Sequence, residues 1–432
     1  MPKLSLKNWP AYFLSLMPIA IISGPFFSDL ITIIIVFWFI YKILNSKELF
    51  NKYIKNRIFL FFIVFNVCLV ISSCLSSYTL FSLKSSLFYF RFYFLAFAIC
   101  YIFDYYNNAK KYLLYSLSFS ILLIFFSAIF DLIFIKNFFK SVNLIAGEQY
   151  RVSGLFGNEL IMGSIFKKLV VALLVLIITL KKFKIIFLNQ FLLITLVGLI
   201  FSIILISGER VAILMFGLFM LSSGYILRKK LNILKIFFFQ LIFLIILLTT
   251  FSELQTRVIK DTYYQIQGKD LSDNSIAKEF KEKTREQKQY NENFIYLSIH
   301  HDAHARTALR MFSAKPIFGH GPNNFRNICK NYEYNQYSCT THPHNNFLQL
   351  LSETGISGFI FLLIAIFFVL HNIKKKNHNN DLSLKIISAF ILIYFIPFIP
   401  SGNFFNNYVN INFYMLVGIY IYLLNRKENK LI

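Results

Sequence analysis

His342 and His344 flank a proline in Thr340-Thr341-His342-Pro343-His344-Asn345, where a long polar segment gives way to an apolar helix. Imidazole is the side chain whose ordinary pKa lies nearest neutrality. A neutral ring at such a junction can take a proton from a hydroxyl during group transfer. A helix starting near Pro343, a residue favoured in a first helical turn, would help keep His344 neutral through its N-terminal dipole. The plainer reading of each histidine is a helix-capping or interfacial side chain. Basic residues at membrane depth weigh toward chemistry. Arg91, Lys167, Lys168 and Arg210 lie inside or at the edge of apolar runs, where a charge is costly unless it faces a cavity or an anion. Arg306 and Arg310 are four apart on a helix predicted over 303–313 and so share a face. Guanidinium forks match phosphate oxygens, so these residues predict an outward cationic cavity for a phosphate or diphosphate at headgroup level. Plainer roles exist here too: Glu209 can neutralise Arg210, and Arg91 in Phe90-Arg91-Phe92 can snorkel to the surface.

The elements that must position these residues follow from composition. Hydrophobic residues make up 57% of the 432 positions, and mean hydropathy is +0.59, which excludes a soluble globular protein and indicates a polytopic, all-α membrane protein. Apolar runs fall near 11–25, 27–44, 58–76, 86–104, 112–134, 161–180, 186–206, 211–227, 235–251, 346–370, 384–400 and 409–425. A span needs about 20 residues, so the expectation is about twelve transmembrane helices. They divide as nine within 1–251, one large loop over 252–345, and three within 346–432. With the N-terminus inside, the loops on that side carry 23 basic residues, against 4 (Lys84, Lys136, Lys140, Arg151) in the opposite short loops. That asymmetry places both termini in the cytoplasm and the large loop outside. The net charge of +24 therefore encodes topology and predicts no nucleic-acid partner; the bilayer is the partner. Gly24-Pro25 runs directly into a second apolar stretch, so the first span does not read as a cleavable signal.

Within the loop, residues 253–292 are highly charged, with clusters such as Lys278-Glu279-Phe280-Lys281-Glu282-Lys283 and Arg285-Glu286 that read as a solvated helix. The second half gathers His300-His301-Asp302-Ala303-His304, then Arg306 and Arg310. Lys315-Pro316 should stop that helix, and Gly319-His320-Gly321-Pro322 should form tight turns. Cys329 and Cys339 can pair in an oxidising compartment, which would be worth up to about 3 kcal/mol; the alternative is two free thiols. Cys68, Cys74 and Cys100 fall in spans as packing residues. His300 and His304 have a zinc-compatible spacing, but no HExxH pattern and no Cys/His quartet accompany them, so no metal and no cofactor are expected.

Four segments carry a family resemblance. They are Arg151-Val152-Ser153-Gly154-Leu155-Phe156-Gly157-Asn158-Glu159-Leu160-Ile161-Met162-Gly163-Ser164; Ser207-Gly208-Glu209-Arg210; Arg306 followed by Pro316-Ile317-Phe318-Gly319-His320-Gly321-Pro322-Asn323-Asn324-Phe325; and His342-Pro343-His344-Asn345 with Gly355 and Gly358. Together, over about residues 140–370, they resemble the O-antigen ligase and O-antigen polymerase superfamily of bacterial envelope glycosyltransferases. The last segment is the most specific. The resemblance implies a metal-independent transferase at the periplasmic face of the bacterial inner membrane. Its donor would be a glycan on undecaprenyl diphosphate, and its acceptor lipid A core or a growing polysaccharide. It further implies Arg210 and Arg306 on the diphosphate and His344 assisting attack by the acceptor hydroxyl, with His342, Arg310, Lys168, Arg91 and Glu209 as substrate-binding candidates. Lys167-Lys168 stands where the family has a single basic residue.

Two other classes compete. A transporter or flippase of lipid-linked saccharides also needs a cationic cavity, but one reachable from both sides and often built on repeated halves, and no internal repeat is visible. A scaffolding protein leaves the intramembrane arginines and the histidine pair without a role.

Overall fold

A computed structural model describes residues 6–135, 151–157, 159–180, 190–229, 232–260, 262–263, 296–375 and 381–428. The charged clusters at 278–286, Lys136, Lys140, Lys181, Lys182 and Lys184 lie outside the described residues. Regular structure among the described residues is helical throughout. The main α-helices are α1 (Trp9–Ser23), α2 (Pro25–Leu44), α3 (Lys47–Tyr53), α4 (Arg57–Cys74), α5 (Thr79–Ser86), α6 (Phe90–Tyr105), α7 (Ala109–Phe130), α8 (Met162–Thr179), α9 (Gln190–Ile206), α10 (Arg210–Leu227), α11 (Ile233–Thr250), α12 (Ile299–Ala314), α13 (Asn346–Lys375), α14 (Leu382–Tyr394) and α15 (Asn407–Glu428).

Eight stretches among the described residues are long and apolar enough to cross a membrane, and α1, α14 and parts of α9 and α11 are shorter apolar helices. These elements fall on stretches that the sequence marks as apolar. Burial sorts them into an inner and an outer set: 89% of the span in α15 and 72% of those in α6 and α8 are buried, against 17% in α13. The inner helices bury an aromatic core in which Tyr89, Tyr93, Phe59 and Phe97 are almost fully enclosed. Rings there meet edge to face, as Phe59 does with Phe97 at 5.1 Å. The outer helices leave apolar side chains such as Phe37, Phe126 and Phe367 exposed, as lipid-facing surfaces require.

The two ends of the bundle differ in chemistry. At one end Lys52 pairs with Asp104 at 3.2 Å and Lys110 donates to the Tyr422 hydroxyl at 3.1 Å. At the other end the N-terminus of α13 and the loop after α14 meet the segment 296–345 through the hydrogen bonds set out below, and at the C-terminus of α4 Ser72 and Ser76 donate to the carbonyls of Phe318 and His320 at 2.6 Å each.

Several boundaries depart from the sequence reading. The run expected at 384–400 is helical only to Tyr394. Pro397 and Pro400 lack main-chain N–H donors, and residues 395–406 form turns instead. The helix expected over 303–313 starts earlier, at Ile299, because the Ser298 side chain accepts from the His301 main chain and caps it. It ends at Ala314 with Lys315 as its cap, where Lys315-Pro316 was expected to stop it.

Candidate active site

The segment with the histidine pair is held by its neighbours on both sides. Asn345, not Pro343, caps α13: its Oδ1 accepts from the main chain of Phe347 at 2.9 Å and Leu348 at 3.1 Å. Its amide donates to the Tyr296 hydroxyl at 3.0 Å and to the Pro397 carbonyl at 2.5 Å. His344 therefore precedes the helix, in the left-handed region at φ 53°, an uncommon conformation for a residue with a Cβ. The helix starts at Asn346 and not near Pro343, so His344 lies outside its first turn. Burial is what lowers the His344 pKa.

The loop after α14 grips the same segment. Ser401 donates its N–H to the His344 carbonyl at 2.8 Å. The Ser401 carbonyl faces His342 Nε2 at 3.3 Å. A carbonyl only accepts, so His342 carries its proton on Nε2 and takes the Thr341 hydroxyl, 2.9 Å away, on Nδ1. Both nitrogens of His342 are thereby committed. The His344 ring has no side-chain hydrogen bond among the described residues and is partly open to solvent.

Helix α12 brings two more rings to this place. His304 lies 5.4 Å from His344 between centroids, His301 lies 6.1 Å from it, and His342 lies 4.1 Å from it. His301 and His304 are three positions apart, so one helix face presents both. His300 points elsewhere, against Tyr337 at 4.4 Å, so the zinc-like pair His300 and His304 does not converge. Among the described residues no group of three or more His, Cys, Asp or Glu is arranged to hold a metal ion.

The cluster is neutral at physiological pH. Burial, reinforced by His344, His300 and Arg210, holds His301 near 4. Burial with His344, His301 and His300 holds His304 near 3, against a main-chain hydrogen bond to Tyr337 that works the other way. Burial and His344 bring His342 to about 3.

The basic residues divide. Arg210 opens α10 and its charge reaches His301; its Nη1 donates to the Thr262 hydroxyl at 3.3 Å. Arg306 ion-pairs with Asp302 at 2.7 Å and lies 4.8 Å over the Tyr334 ring. Arg310 shares that ring at 5.2 Å and donates to the Glu333 carbonyl. Tyr334 belongs to a turn closed by Ser338, whose hydroxyl accepts from the main chain of Tyr334 and Asn335 at 2.8 Å each. The Cys329–Cys339 disulfide closes the same region. Arg326, which sequence reasoning passed over, places its charge within reach of His342.

The remaining candidates are held elsewhere. Glu209 accepts from the main chain of Gly163 at 2.6 Å and of Ser164 at 3.2 Å, and from the Ser164 hydroxyl at 2.5 Å. It caps α8, where a carboxylate suits the helix N-terminus, and makes no ion pair with Arg210 among the described residues. Arg91 pairs with Asp29 at 3.2 Å and stacks on Phe92. Lys167 and Lys168 are buried between helices, Lys167 against Met215 Sδ at 2.9 Å and Lys168 over Tyr394 at 5.2 Å. None of these four has a contact with the histidine cluster among the described residues.

A crossing of two chain segments explains why the glycine-containing motifs sit together. Helix α13 is broken at Gly355 (φ 64°, ψ −164°). There Ile356 and Ser357 donate to the carbonyls of Pro316 at 2.8 Å and Ile317 at 3.2 Å, and Gly321 donates to the Glu353 carbonyl at 2.7 Å. A Cβ on Gly355 would stand 2.5 Å from the Ile317 carbonyl, and one on Gly319 would stand 2.5 Å from Glu353. The fully buried Glu353 accepts from the main chain of Asn323 and Phe325 at 2.8 Å each, and from Gln349 at 3.1 Å. Gln349 also donates to Asn403 and accepts from the Phe404 main chain, both at 2.8 Å. One buried carboxylate thus ties the turn 316–325, α13 and the loop 395–406 into a single frame behind the histidines.

An apolar cavity of about 420 Å³ runs beside this frame, from Tyr89, Leu350 and Phe404 near the histidine end to Arg57, Tyr420 and Ile421 toward the other. Along α13 it extends from Leu350 to Val369, roughly 28 Å of helix at 1.5 Å per residue.

Residues 194–363 match the family model described as O-antigen ligase. No curated protein matches the chain significantly. The matched stretch holds Arg210, Arg306, the histidine cluster and the Gly319–Gly355 crossing, which are the parts of the site described above. Through this region the chain is similar to the O-antigen ligase family.

Proposed function

We propose that the protein transfers a glycan from undecaprenyl diphosphate to an acceptor hydroxyl, of lipid A core or of a growing polysaccharide, at the periplasmic face of the bacterial inner membrane. The family match supports ligase- or polymerase-type glycan transfer in general. The observation that carries the finer reading is the His344 ring: neutral, without a side-chain partner among the described residues, and set among histidines that Arg210 approaches. In this reading His344 takes the proton of the acceptor hydroxyl as its oxygen attacks the anomeric carbon. The bond from that carbon to the diphosphate breaks, and the lipid diphosphate leaves as an anion stabilised by Arg210 and Arg306. Attack opposite the leaving group inverts the anomeric configuration. Cationic neighbours at the leaving oxygens supply the stabilisation a divalent metal would otherwise give.

Three features support the setting. The Cys329–Cys339 disulfide suits an oxidising compartment. Lys52 and Lys110 gather at the end opposite the histidines, as the positive-inside rule requires of a periplasmic site on a twelve-span chain. The apolar cavity offers the donor's hydrocarbon chain a place on the membrane side of the site.

Arg210→Ala should lower kcat/KM for a lipid-diphosphate donor about 10²- to 10³-fold, as loss of one charge-stabilising donor does. Arg210→Lys should recover only part, because an ammonium lacks the bidentate fork. Unchanged kcat/KM in Arg210→Ala, measured on purified protein, would remove Arg210 from the diphosphate site.

A further inference from the structure

Among the described residues, His304 is the one histidine of the cluster with a buried nitrogen lacking any hydrogen-bond partner. Its side chain is 7% exposed. Its Nδ1 has no partner, so Nε2 is the nitrogen that serves the main-chain hydrogen bond to Tyr337. A carbonyl partner fixes the proton on Nε2, and a neutral ring then leaves Nδ1 as a bare lone pair. A buried acceptor without a donor is costly and rare, and it calls for a donor that arrives at some stage of the working cycle. The nearest ring is His344, 5.4 Å away between centroids and tilted by 33°. Two imidazoles joined by an N–H···N bond of about 3 Å have centroids roughly 5.2 Å apart. A small rotation of the His344 ring, whose nitrogens are uncommitted, therefore closes that bond. His342 cannot take this part, because both its nitrogens are already engaged.

We propose that His304 is a positioning residue for His344: its Nδ1 accepts the N–H of His344, which leaves the other His344 nitrogen bare and turned toward the acceptor hydroxyl. This rests on the reading of His344 as the base. When His344 takes the hydroxyl proton, the His344 N–H toward His304 stays on His344 and its hydrogen bond strengthens as the imidazolium forms. No proton passes to His304, and its own proton remains with Tyr337. The arrangement follows the general logic of a base held in one tautomer by a third group.

The test uses the purified full chain with a lipid-linked diphosphate donor. His304→Phe removes the acceptor and keeps the bulk, and should lower kcat about 100-fold with the donor KM within about twofold. His304→Ala serves where the phenylalanine ring disturbs folding, with the same fall expected. His304→Asn can place its amide oxygen where Nδ1 stood and should recover kcat to within about tenfold of the parent. Added to His344→Asn, His304→Phe should lower the residual rate no further, since the two rings act as a unit. Equal losses in His304→Asn and His304→Phe, or a loss confined to KM, would overturn the positioning role. So would full kcat in His304→Phe alongside an inactive His344→Asn, leaving His344 as base. Full activity in His344→Asn would instead overturn the reading of His344 and this inference with it.

Discussion

His344→Asn should lower kcat for glycan transfer about 10³-fold, within the range that loss of a general base commonly costs. Asparagine is the informative substitution because it tolerates the left-handed backbone that His344 adopts at φ 53°. An alanine there would mix backbone strain with lost chemistry. The parent protein should also show an acid limb in kcat/KM that lies below pH 6.5. Burial lowers the His344 pKa from that ordinary value, so the ring stays neutral, and competent as a base, further into the acid range. Stability runs the same way. His301 near 4 and His304 and His342 near 3 bind fewer protons folded than unfolded below about pH 6.5. Their contribution is whole above that value and is lost as the pH falls through it toward 3. Rates must therefore be taken where the protein recovers fully on return to neutral pH. An acid limb at or above 6.5, or a His344→Asn enzyme with parental kcat, contradicts the assignment.

Gly355→Ala should destabilise the fold by about 3–5 kcal/mol, combining a backbone region reserved for glycine with an overpacked crossing. Gly355 holds φ 64° and ψ −164°, and the new methyl would press on the Ile317 and Pro316 carbonyls. Those groups belong to the neighbouring main chain and cannot swing aside as a flexible side chain would. Since Glu353 and Gln349 bind the turn 316–325 and the loop 395–406 from the same stretch of α13, activity should fall with stability. Gly217→Ala is the matched control: nothing lies within 4 Å of its added Cβ, so it should be neutral or slightly stabilising. Thermal unfolding in detergent separates the two. Equal midpoints would mean that the crossing is not rigid.

The helices were legible in the sequence because a bilayer demands continuous apolar runs, and those runs coincide with the apolar helices found. Much of the site was legible as residue types. His342, His344, Arg210 and the glycines of the 316–325 and 355–358 segments all fall at the end of the bundle where the histidines cluster. What composition could not show was which partners each would find. Glu209 caps α8 instead of neutralising Arg210, because two main-chain donors and a hydroxyl converge on it. Arg306 is paired to Asp302, four residues before it on the same helix, a spacing present in the sequence. His304 reaches His344 together with His301, not with His300. Once Ser298 starts the helix at Ile299, the face is set by the three-residue step. Within the loop 395–406, residues 395–400 read as the end of a span. The loop grips His342 and His344 through the main chain of Ser401, and a main-chain contact leaves no mark in residue type. Pro397 and Pro400 were the available signal that the helix stops short.

The central claim is that a glycosidic bond is made here. The direct measurement gives purified, reconstituted protein a radiolabelled glycan on undecaprenyl diphosphate together with a hydroxyl-bearing lipid A core or polysaccharide acceptor. The account predicts label in the acceptor, stoichiometric release of the lipid diphosphate, and the loss of both in His344→Asn. Movement of intact donor across the bilayer, with no label in any acceptor, would contradict it and identify a flippase.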